Sequence, residues 1–94
     1  MYLVVSKWQP LPGKEEEFEE IGKKMRDLLR AHPGVVMVEA FKCDGYNVAV
    51  AGYENEEVYN QLIQDPNGPF ETAAREYNVE EIARWIGSEK GETV

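Results

Sequence analysis

The first eight residues, MYLVVSKW, are rich in β-branched and aromatic side chains and stop at QPLPG, where Pro10, Pro12 and Gly13 forbid a regular element. This predicts a first strand. From residue 14 the period changes: Phe18, Ile21, Met25, Leu28 and Leu29 recur every three or four positions with charges between them, which predicts an amphipathic helix over 14–31. Glu15, Glu16, Glu17, Glu19 and Glu20 crowd its start, and Lys23, Lys24, Arg26 and Arg30 its end, the polarity favoured by the helix dipole. His32-Pro33-Gly34 ends it.

Strand-like composition returns over residues 35–53, VVMVEAFKCDGYNVAVAGY, around Asp44-Gly45, a signal for a two-residue type I′ hairpin. The register then follows. One face carries Cys43 opposite Tyr46, Phe41 opposite Val48, Glu39 opposite Val50 and Met37 opposite Gly52. The other carries Lys42 with Asn47, Ala40 with Ala49, Val38 with Ala51 and Val36 with Tyr53. Small side chains at the centre of this second face suit a helix lying close against it; the first face is bulky, with one carboxylate among its apolar residues.

ENEEVYNQLIQD predicts a helix with Asn55 or Glu54 at its cap, Val58, Leu62 and Tyr59 inward, and a stop at Pro66. PNGP is a turn, and Phe70, Ala73, Ala74 and Tyr77 space a short helix. The final segment, NVEEIARWIGSEKGETV, supports two readings. Val79, Ile82, Ala83 and Ile86 keep helical spacing behind an Asn78/Glu81 capping box, whereas IARWIG fits a short strand equally well.

Strand, helix, hairpin and helix in this order are most of a β-α-β-β-α-β unit, an α+β, ferredoxin-like arrangement with one antiparallel sheet. That topology needs a fourth strand, which assigns IARWIG to a strand and leaves GSEKGETV as a polar tail that frays or crosses a partner. Both helices then lie on one side of the sheet. The bare side would expose Met37, Phe41, Tyr46, Val48 and Val50, more contiguous apolar surface than a soluble monomer usually shows. A homodimer with sheet facing sheet is the expected remedy, with a cavity between the sheets or between each sheet and its helices.

Composition narrows the chemistry. Ninety-four residues, 43% hydrophobic and 30% charged, make a single domain over 1–94. The net charge of −8 disfavours nucleic acid and anionic membrane surfaces as partners. Neither a signal peptide nor an apolar run of membrane-spanning length is present, so the expected location is cytoplasmic. With one cysteine, Cys43, and one histidine, His32, a disulfide or a zinc site is not expected. The acidic run KEEEFEE reads as a solvated helix face rather than a cation site.

The element order, W-x-x-x-P-G-K-x-x-E-F from Trp8 to Phe18, HPGV from His32 to Val35, DPNGPF from Asp65 to Phe70, and W-x-x-S-E-x-G-E from Trp85 to Glu92 resemble the antibiotic-biosynthesis monooxygenase family of dimeric α/β-barrel proteins, over nearly the whole chain. The resemblance implies a dimeric α/β barrel. It also implies, in part of the family, cofactor-independent oxygenation of polycyclic phenols, with Asn, Trp and Tyr activating the substrate. Heme-degrading members pair a first-strand Asn with a downstream Trp and an iron-ligating His. Here the first strand offers Ser6 and Lys7 and no histidine follows position 32, so heme is not implied.

Glu39 is the expected catalytic residue, a general base buried on the apolar face, where an unpaired carboxylate is costly and its pKa rises. Its structural alternative is an ion pair with Arg84, Lys7 or a partner residue. Trp8, Phe41, Tyr46, Asn47, Phe70, Tyr77 and Trp85 are the candidate binding residues for a small apolar or aromatic ligand, against the plainer reading of core or interface. Two functions follow: a cofactor-independent oxygenase or related proton-transfer enzyme, or a protein that holds such a ligand without transforming it.

Overall fold

A computed structural model describes all 94 residues, Met1–Val94. Strand β1 (Tyr2–Pro10) leads to helix α1 (Glu15–Arg30), then to a hairpin of β2 (Val35–Cys43) and β3 (Tyr46–Tyr53). A short helix α2 (Glu56–Tyr59) runs into a π-helical turn (Asn60–Gln64), followed by α3 (Pro69–Glu76), α4 (Val79–Ile82) and β4 (Ala83–Glu92). The four strands form one antiparallel sheet in the order β2-β3-β1-β4. This is the ferredoxin-like α+β arrangement expected from the element order.

The hairpin register agrees residue by residue from Cys43–Tyr46 to Met37–Gly52. At its far end an irregularity between Val35 and Met37 puts Val35, not Val36, opposite Tyr53. The turn also differs. Gly45 has φ 87°, but Asp44 keeps negative φ, so only one of the two positive dihedrals of a type I′ turn is present. Asn55 caps α2, its side chain accepting from the Val58 N–H at 2.9 Å.

The ambiguous C-terminal segment divides between its two readings. One helical turn buries Val79 and Ile82, and the chain then extends from Ala83. Asn78 sits in the left-handed region at φ 53°, so the capping box does not form. The strand continues to Glu92, and what was expected to be a loose tail pairs with β1 back to Tyr2.

The sheet buries the face carrying Tyr2, Val4, Val38, Ala51 and Tyr53 against Leu29 of α1, Tyr59 of α2 and Leu62 of the π turn. A second cluster joins Ile21 and Met25 of α1 to Val79 and Ile82. Leu28, expected in the core stripe, is exposed at the edge of the helix face. The other side of the sheet has no helix over it, and Phe41, at 54%, and Glu39 are exposed there; against expectation Val48 is buried and Met37, Tyr46 and Val50 are half-buried, so the bare apolar surface is smaller than the alternation implies. No helix is long and apolar enough to cross a membrane.

Candidate functional site

On the helix-facing side of the sheet, register alone builds four cross-strand rows. Tyr53 and Tyr2 fill one end and Val38, Ala51 and Val4 the next row. Ala40, Ala49 and Ser6 come third, and Lys42, Asn47 and Trp8 fourth. Side-chain volume collapses at the third row. The small residues of this face let a helix pack close only at Ala51, which lies in the core with Leu29; Ala40 and Ala49 instead floor a groove of about 180 Å³ between the sheet and α1.

The groove's apolar walls are Trp8 and Phe18, whose rings lie 6.0 Å apart at 39°, with Phe41 and Val48 contributing from the hairpin. Its polar groups are Asn47 from β3, Lys42 from β2, and Glu19, Lys23 and Arg26 from α1. The last three lie four and three residues apart, one stripe of the helix beside its apolar face. Lys42 reaches from the edge strand to the carboxylate of Glu19. Glu19 Oε1 is covered by its ion-pair partner, the Lys42 ammonium, while the Glu19 side chain as a whole is half-buried and Lys42 is exposed. Lys23 and Arg26 make no ion pair or side-chain hydrogen bond.

Of the residues singled out from sequence, Trp8, Phe41 and Asn47 line this groove. The others do not. Tyr46 lies beside the turn, where its hydrogen bond to Cys43 and the charge of that thiol raise its pKa. Phe70 packs against both core clusters, and Tyr77 against the second, with the Lys24 ammonium 5.6 Å from its ring centroid. Trp85 stands opposite Trp8 across β1 and β4, yet it is 59% exposed and donates its indole N–H to Ser88 Oγ at 2.9 Å.

Glu39 requires a correction. Its side chain is 72% exposed rather than buried, and its partner is Arg30, 3.4 Å away, not Arg84 or Lys7. Strand β2 is a sheet edge, so Arg30 can pass around it from α1, donating also to the Val38 carbonyl at 2.8 Å. Glu19 was the residue overlooked. It stands in a run of glutamates that reads as a solvated helix face, although the hairpin register puts Lys42 and Asn47 on the helix-facing side.

A second depression of about 300 Å³, between Gln9-Pro10-Leu11-Pro12, Glu15 and Arg84, lacks aromatic walls.

No family model matches the sequence, and no curated protein does. Solved structures do. SnoaB, a cofactor-independent oxygenase from Streptomyces nogalater, superposes with a TM-score of 0.77 over 99% of this chain and 92% of its own, at 14% identity. An antibiotic biosynthesis monooxygenase matches with a TM-score of 0.76 over 100% and 99%, at 11% identity.

The chain has the fold of the antibiotic-biosynthesis monooxygenases.

Rv0793 from Mycobacterium tuberculosis shares that fold, with a TM-score of 0.79 over 99% of this chain and 94% of its own, at 14% identity. Identities this low carry the architecture across and not the chemistry, which depends on the particular side chains in the groove.

Proposed function

We propose that this protein is a cofactor-independent, monooxygenase-like enzyme that oxidises a small phenol held in the groove under α1. The observation that carries this reading is the Glu19 carboxylate, one oxygen of it covered by the Lys42 ammonium, at one side of a groove walled by Trp8 and Phe18. An aromatic ring fits between those walls. Its hydroxyl meets an acceptor, Glu19, and a donor amide, Asn47.

Chemically, Glu19 takes the phenolic proton, and the phenolate is stabilised by Asn47 and the Lys42 ammonium. The electron-rich ring gives electrons to dioxygen, and a carbon–oxygen bond forms at the position para to the hydroxyl. Protonation gives a hydroperoxide. Loss of the ring proton and cleavage of the oxygen–oxygen bond then release water and leave a quinone. One phenol and one dioxygen thus give one quinone and one water, with the substrate supplying all the electrons.

This assignment moves the base from Glu39 to Glu19. We also place a second copy of the chain over the open face, supported by the exposure of Phe41 there. Sedimentation should then show a dimer, and a monomer at micromolar concentration would remove that part of the proposal.

The test of the chemistry is oxygen uptake with 1-naphthol and related phenols. Glu19→Gln is expected to lower the rate at least about a hundredfold, the usual contribution of a positioned base, while retaining the fold. Unchanged turnover in Glu19→Gln would refute the assignment. Tight ligand retention with no oxygen consumption would instead favour a holding protein, the alternative that the same groove supports.

A further inference from the structure

The free cations of the groove add a requirement on the ligand. In a chain of net charge −8, the polar lining of the groove is one carboxylate, one amide and three cations. Glu19 and Lys42 neutralise each other. Lys23 and Arg26 are left without any ion-pair partner beside an apolar wall, although surplus carboxylates are plentiful elsewhere on α1.

Arg26 is also given room that the helix could have filled. Gly22 lies one turn before it, in a helix interior where glycine is the least favourable residue after proline. A Cβ at Gly22 would sit 3.0 Å from one Arg26 guanidinium nitrogen, with the guanidinium carbon at 3.8 Å and its other terminal nitrogen at 3.9 Å. The guanidinium therefore folds back over bare backbone toward the turn that carries Phe18 and Glu19. Alanine at position 22 would strengthen the helix and press on that seat.

Resting on the phenol-oxidising reading of the same groove, we infer that the substrate class is an aromatic hydroxy acid, its carboxylate held by Arg26 and Lys23 while its hydroxyl faces Glu19. The planar guanidinium fork matches a carboxylate and pairs with it through two parallel hydrogen bonds. Size agrees: an apolar cavity of about 150 Å³ takes benzene, so this groove takes one ring, and its open side admits a second ring or a substituent. The unpaired cations lie where such an acidic substituent emerges, and they also draw anions to a protein that otherwise repels them.

The experiment measures binding, by calorimetry or by quenching of Trp8 fluorescence, for 1-hydroxy-2-naphthoate against 1-naphthol. The wild-type protein should prefer the carboxylated probe by on the order of tenfold or more, the usual strength of a charged hydrogen-bonded contact. Arg26→Gln should remove that preference, the affinity for the carboxylated probe falling to that for 1-naphthol measured on the same variant. Gly22→Ala should raise the thermal midpoint by about 4 °C and yet reduce the preference several-fold, an opposition of sign that a purely structural glycine would not produce. Equal affinity for the two probes, or an Arg26→Gln protein that keeps the preference, overturns the inference. Because binding is read apart from oxygen uptake, the two claims fail separately. Tight binding of the carboxylate without turnover would refute the oxidation alone, and oxidation of 1-naphthol with no carboxylate preference would refute only the present inference.

Discussion

The two ends of the helix-covered sheet face are built on the same strands, yet one is full and the other hollow. At the closed end Tyr53 is 2% exposed, and Tyr59 stacks against it at 5.4 Å and against Tyr2 at 5.3 Å. Two rows away, Ala40, Ala49 and Ser6 replace that volume with small side chains, and the groove opens beneath Phe18 and Glu19. A continuous backbone ladder supports both. The difference shows how one scaffold can leave room for a ligand: aromatic volume buried at one end supports the fold, so small residues at the other can leave space.

The largest test of this division is Tyr53→Ala. Removing a fully buried aromatic costs about 3–5 kcal/mol, a large share of the stability of a domain this size, and denaturant unfolding should show it. Trp8→Ala, at the groove, should cost roughly half as much because less of its surface is buried. Equal losses would mean that the groove is core in disguise.

Proton linkage probes the same contrast. Burial, then the nearby Tyr59, pushes the Tyr53 hydroxyl up from 10.0 to about 12. The unfolded chain therefore releases this proton first as pH rises, and stability falls between pH 10 and pH 12, by on the order of 2–3 kcal/mol. Below pH 10 both states keep the proton and the contribution is constant. In Tyr53→Phe the alkaline loss attributable to this group should vanish, as urea midpoints at pH 9 and pH 11.5 would show.

Much of this architecture was legible in the sequence because it is written in periodicity. The hairpin register of Cys43 to Met37 against Tyr46 to Gly52 came from one Asp-Gly pair and strict alternation, but alternation overstated the bare face, where Val48 is buried and only Phe41 of the bulky residues is exposed. The path of the last strand was legible only through topology, since Val79 to Ile82 and Ala83 to Ile86 obey different periods within eight residues. The lining of the candidate groove was half legible. Trp8, Phe41 and Asn47 announce themselves by residue type, but Glu19 is one of five glutamates in six positions and differs from the others only by tertiary placement. Glu39 misled for the complementary reason: strand alternation gives the face of a residue and does not reveal that its strand is an edge within reach of Arg30.

Ala49→Leu tests the hollow end directly. Extra methylenes in a filled core cost about 1–3 kcal/mol, whereas in an open groove they should cost less than about 1 kcal/mol while abolishing binding of aromatic probes. A destabilised variant that still binds them would place the ligand elsewhere.

The smallest effect belongs to the open face. Glu39 shares Arg30 with Asp27 and with the Val38 carbonyl, and its ion pair is solvent-exposed. Glu39→Gln should therefore change stability by less than about 1 kcal/mol. Arg30→Met should cost more, because it also leaves an edge-strand carbonyl without its donor. Turnover is the sharper readout. With the base at Glu19, the Glu39→Gln protein should retain full oxygen uptake, and the proposed dimer should persist because Phe41 is untouched. Loss of uptake in Glu39→Gln with the dimer intact would move the chemistry across the sheet, to a cavity enclosed between two copies of the open face, and would leave the groove under α1 as a feature of packing.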